Sequence, residues 1–133
     1  MTQHVVDYTN TLALIAKGFN SQCAYRYTAS GAAVENVVDG SGDPILQTNT
    51  QIVAAAAAKR CAPTYAQIVD WFDTTHGLKI DIINYFNEAN YNKYVISLAV
   101  TNETKKKKIV SNGYWTSKMD AYNEAIKKAL TLV

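Results

Sequence analysis

The chain has 133 residues, 48% of them apolar, and a formal net charge of +2. That is enough apolar material for a core without disulfide or metal support, and four basic against four acidic residues before Pro63, then nine against seven after it, exclude a strongly polyanion-directed chain. No apolar run approaches the roughly 20 residues of a membrane span, and MTQHVVDYTN lacks the basic start and apolar centre of a secretion signal, so no membrane partner is expected and cytoplasmic folding is.

In chain order, Val5, Tyr8, Leu12, Ile15 and Phe19 follow one another at spacings of 3, 4, 3 and 4. This is the stripe of an amphipathic helix, expected over residues 4–18 and ended by Gly18 and Asn20. Residues 30–50 are dense in Gly, Ser, Asp and Asn, interrupted by Val34, Val37, Val38, Ile45 and Leu46. Short extended pieces within CAYRYTA and AAVENVV are expected on a long exposed excursion, with GSGDP at Gly40 as its sharpest turn. Compact domains rarely keep such a segment without a use, and a common use is contact with a partner. The alanine run Ala54–Ala58, preceded by Thr48, Asn49 and Thr50 as caps, reads as a second helix.

From Thr64 onward the order is helix, strand, strand, strand, helix. Thr64 with Gln67 makes a capping-box pattern, Tyr65, Ile68, Val69 and Phe72 form one face, and Gly77 supplies the stop. Leu78, Ile80 and Ile82 alternate, as do Tyr94, Ile96, Leu98 and Val100, which predicts two strands joined across the turn-forming NEANYN at 87–92. A polar stretch from Thr101 to Lys107 leads to a third strand expected at about Lys108 to Trp115, with Gly113 as a bulge or bend. The last helix carries Tyr122, Ala125, Ile126, Ala129, Leu130 and Val133 on one stripe, with Thr116 or Ser117 as its cap. The expected fold is α+β: residues 1–63 form an N-terminal helical and loop-rich region, and 64–133 an αβββα two-layer domain with two helices on one face of a three-stranded antiparallel sheet.

Few residues carry chemistry. Cys23 and Cys61 are the two thiols, 38 residues apart and in no CxxC pair; they read as buried free thiols, with a disulfide or redox pair as the alternative. His4 falls near the start, and His76 sits in the last turn of a helix, where an imidazole suits exposed carbonyls. Asp70 and Asp73 share that helix and read as solvated carboxylates, so no metal site is expected. GSGD lacks the spacing that aims successive amides at phosphate, and no nucleophile-elbow or zinc-ligand pattern exists. Neither a cofactor nor a catalytic residue is nominated.

Binding is the better-marked activity. Tyrosine occurs nine times, and it is enriched at protein interfaces because it covers much area for little lost freedom. The expected protein contacts are Tyr25, Tyr27, Val34, Val37, Ile45 and Leu46, on the excursion. The dense charge run Lys105, Lys106, Lys107 and Lys108, with Trp115 and Lys118, marks the alternative, weak nucleic-acid contact.

The order helix, three antiparallel strands, helix, closed by the small-residue-rich SKMDAYNEAIKKAL at Ser117–Leu130, resembles the double-stranded-RNA-binding domain topology. In that family the first helix, the loop between strands one and two, and lysines opening the last helix touch the duplex. Here Lys118 stands at one such lysine position, while Met119 and Tyr122 stand at others, Asp120 adds an opposing charge, and NEANYN lacks the family's Gly-Pro-x-His loop. The resemblance thus implies the fold more than the activity. The segments TYAQIVDWFDTTHGLKIDI and YNEAIKKALTLV are also similar to small proteins of tailed, crAss-like phages. That likeness implies an accessory virion protein of the capsid auxiliary or decoration kind, located in the virion or host cytoplasm, contacting neighbouring subunits and capable of forming a homo-oligomer.

Overall fold

A computed structural model of the protein describes residues 5–86, 92–102, 105–110 and 114–133; in the strand segments 85–86, 92–93, 101–102 and 105–110 it is the backbone that is described. His4, residues 87–91 of the expected turn and Gly113 lie outside the described residues. The class is α+β, with two three-stranded sheets and four α-helices among the described residues. The chain divides into two compact units, Met1–Tyr65 and Ala66–Val133.

In the first unit, helix α1 spans Tyr8–Ala16, and the Asp7 carboxylate caps it by accepting from the Asn10 amide. The helix starts later than residue 4 because Asp7 is extended (φ −62°, ψ 161°). Its inward face is also rotated from the expected stripe. Asn10, Thr11 and Leu14 are buried while Leu12 is 40% exposed. Thr11 enters the core because its hydroxyl donates to the Asp7 carbonyl one turn back, at 2.8 Å, leaving no orphaned polar group. Gly18, at φ +99°, turns the chain out of the helix.

The stretch expected as a loop supplies two strands of a small sheet. Strands β1 (Tyr25–Tyr27), β2 (Val34–Asn36) and β3 (Arg60–Cys61) pair antiparallel in the order β2-β1-β3, with Tyr27 opposite Val34 and Arg26 opposite both Glu35 and Cys61. Strands β1 and β2 fall inside the two extended pieces expected there. A single 3-10 turn, Ala29–Gly31, lies between them. Helix α2 spans Asn49–Ala55 and opens with a capping box of Thr48 and Gln51. It stops before the alanine run ends: Ala56 is extended at φ −152°. Ala54, Ala55, Ala57 and Ala58 are exposed and bury nothing, and propensity alone does not sustain so short a helix. The buried Asn49 side chain accepts from the Cys61 amide at 2.9 Å, fastening α2 to β3. Val6, Leu14, Phe19, Cys23, Tyr27, Val37, Ile52, Cys61, Ala62 and Tyr65 make up the core.

In the second unit, α3 (Tyr65–His76) ends where Gly77 takes φ +63° and donates its amide to the Asp73 carbonyl, a left-handed stop that leads straight into a strand. Strands β4 (Leu78–Phe86), β5 (Asn92–Asn102) and β6 (Lys105–Val110) form an antiparallel sheet in that order, with Ile80 opposite Leu98 and Leu98 opposite Ile109. The third strand thus begins at Lys105 rather than Lys108. Register explains the difference: Asn102 pairs with Lys105, so the ladder resumes immediately and the lysines belong to the strand. Trp115 makes an isolated bridge to Tyr94, exchanging backbone hydrogen bonds of 2.8 and 3.0 Å. Helix α4 (Lys118–Leu130), capped by Ser117, lies across β4 and β5 through Ala121, Ala125, Ile126 and Ala129. Three alanines on one face let the helix approach the sheet closely. Val95, Ile96, Ser97 and Leu98 are all buried, so the central strand is covered on both faces.

Candidate functional site: the 20–50 excursion and the buried thiols

Residues 20–50 are held by backbone pairing rather than left as a loose loop. Cys23 and Gln47 exchange hydrogen bonds of 2.8 and 3.1 Å, the Val37 amide donates to the Ala24 carbonyl, and the Ile45 amide donates to the Val37 carbonyl. At the tip, the Asp39 carboxylate accepts from the amides of Ser41 and Asp43, closing the turn that GSGDP announces. Asn20 reaches α2, accepting from the Thr50 amide and hydroxyl. The excursion is a fixed surface.

That frame sorts the six expected contact residues. Leu46 is 56% and Tyr25 38% exposed, Val34 and Ile45 are half-buried, and Tyr27 and Val37 are core. Alternation along β1 puts Tyr25 and Tyr27 on one side of a short strand, so it does not separate them; the contacts of Tyr27 do. Its hydroxyl donates to the Val6 carbonyl, and its ring meets Tyr8 edge-on with centroids 5.0 Å apart. Burial pushes the Tyr27 phenol up to about 12.

On the same small sheet, Glu35 accepts from Arg26 at 2.8 Å and from Lys59. These two donors, Lys59 first, hold the Glu35 carboxyl below its ordinary range. The triad has no signature in the sequence because its members are far apart along the chain and meet only through the pairing of β1 with β2 and with β3.

Cys23 and Cys61 are reduced, fully buried, and joined by a thiol hydrogen bond. That bond, with burial next, raises the Cys61 thiol far above its usual range. A thiol so held is a poor nucleophile.

The residues of the nucleic-acid alternative are scattered over three elements. Lys105–Lys108 occupy the edge strand β6, Trp115 bridges to Tyr94, and the exposed Lys118 opens α4 with its ammonium 5.9 Å from the Tyr122 ring. His76 packs edge-on against Trp71 at 4.8 Å with its Nε2 buried and unpaired, while Asp70 and Asp73 are exposed. Among the described residues no three His, Cys, Asp or Glu side chains converge in a way that could hold a metal ion, and no helix is long and apolar enough to cross a membrane. No family model, curated protein or solved structure matches the chain.

Proposed function

We propose that the protein acts by binding, as an accessory subunit that docks on neighbouring proteins of a larger assembly through the 20–50 excursion. One observation carries this reading: Leu46, more than half exposed, and Tyr25 stand on a segment fixed by paired backbone hydrogen bonds. A large apolar side chain held rigidly in water loses little entropy when a partner covers it. The lysine run does not require a polyanion, because lysines on an edge strand keep that edge from pairing with strangers.

The assembly that the phage likeness suggests is a virion. The test is mass spectrometry of purified particles beside host lysate, for the wild-type chain and for a Tyr25→Ser, Leu46→Asp variant. The reading expects the wild type in particles and the variant depleted from them. A chain absent from particles and captured by no subunit, or a variant incorporated as well as the wild type, overturns it.

A further inference from the structure

The second sheet has two unlike edges. Strand β6 carries four consecutive lysines, the composition that discourages further pairing. Strand β4, at the opposite edge, is nine residues long, contains no proline, and bears one lysine and one aspartate, Lys79 and Asp81. In an antiparallel edge strand every second residue directs its N–H and C=O away from the sheet, where another strand can bind them. Along β4, Leu78 and Ile80 are buried, while Lys79, Asp81, Ile83 and Asn84 are exposed. Among the described residues neither Lys79 nor Asp81 forms an ion pair within 4.0 Å.

We propose that β4 pairs antiparallel with β4 of a second copy about a two-fold axis at Ile80, joining two three-stranded sheets into one of six strands. The register follows from the sequence of the strand itself. Facing residues of paired strands share a face of the sheet, so only registers that set odd positions against odd ones keep Leu78, Ile80 and Ile82 on a continuous apolar side. A centre at Lys79 or at Asp81 sets like charges against each other. A centre at Ile82 sets Asp81 against Ile83. A centre at Ile80 sets Lys79 against Asp81 of the second copy, and symmetry makes that ion pair twice. It also sets Leu78 against Ile82 and Ile80 against itself. Over Leu78–Ile82, the segment that this centre pairs, the strand is complementary to its own reverse.

The pairing uses neither Tyr25 nor Leu46, so this inference stands or falls independently of the docking role proposed above. The expected association is weak, in the micromolar range, because the contact is one short strand and its flanking side chains. Sedimentation equilibrium or light scattering of the full chain across micromolar to submillimolar concentration should show a monomer–dimer equilibrium. Lys79→Glu and Asp81→Lys should each weaken it about tenfold, since each reversal acts at two symmetric positions. Combining them should restore it, because the swapped pair again opposes unlike charges. Both positions are exposed, so thermal melting should be unchanged in all three variants, which separates lost association from lost folding. A wild-type chain monomeric throughout, single reversals without effect, or a double variant no better than the singles each overturns the inference, as does a dimer that Leu46→Asp abolishes.

Discussion

The ring of Tyr8 lies against Gly31 so closely that a Cβ at position 31 would come within 2.5 Å of its Cγ and Cδ2. Gly31 also sits at φ +71°, after Ser30 at φ +67°. Two left-handed residues in succession let the turn between β1 and β2 fold down onto the aromatic pair Tyr8 and Tyr27. Gly31→Ala should therefore cost about 2–4 kcal/mol, from overpacking and backbone strain together. Gly40, whose added Cβ would meet nothing within 4 Å, is the control, and Gly40→Ala should stay within about 0.5 kcal/mol of wild type. Urea denaturation of both variants checks this.

Tyr27 should make the protein sensitive to alkali. Its phenol ionises near 10.0 when exposed and about 12 when folded, so the stabilisation is complete below the lower value and is lost as pH rises through the upper one. Tyr27→Phe removes the donor to the Val6 carbonyl, which keeps a 3.3 Å contact from the Thr11 hydroxyl. The expected cost is about 1 kcal/mol at neutral pH. Between pH 10 and 12 the variant should lose less stability than wild type, measured by denaturation at fixed pH.

Glu35 gives the opposite dependence at the acid end. Lys59 and Arg26 lower its folded pKa from 4.5, so its stabilisation is present above that value and disappears as pH falls through the folded one. The side chain is 36% exposed, and water screens the pair. Glu35→Gln should cost only about 0.5 kcal/mol at pH 7. The difference from wild type should vanish in strong acid and shrink in high salt.

The thiols should be silent in the native state. Both are fully buried, and Cys61 is held far from ionisation. A charged alkylating reagent at pH 8 should leave intact protein unlabelled over a period that suffices to label both cysteines in guanidinium. Intact-mass measurement reads the outcome directly; rapid labelling of the folded chain contradicts the burial described.

The second unit was largely legible in advance because its elements are long enough for periodicity to average over local noise. The nine residues of β4 and the thirteen of α4 each repeat their pattern several times, and Ser117 and Gly77 mark boundaries by a cap and a positive φ. The first unit resisted because its strands have three, three and two residues, too few for any alternation to declare itself. Helix α1 misled for a different reason. Hydrophobicity placed Leu12 inside, but the hydroxyl of Thr11 satisfies itself against its own helix and takes the buried position instead. At the surface, burial divided residues that composition treats alike: Tyr25 and Tyr27 have the same side chain, and the Val6 carbonyl and Tyr8 ring that meet Tyr27 separate them.

Val5 forms an antiparallel bridge with Thr64, and the Val6 amide donates to the Pro63 carbonyl at 2.9 Å. The two extremities of that unit are therefore laced together, so its path from 5 to 64 is nearly a closed ring. In a ring the starting point carries no structural meaning. The core of this half is thus defined by which residues face each other, and the point at which the chain enters it is incidental.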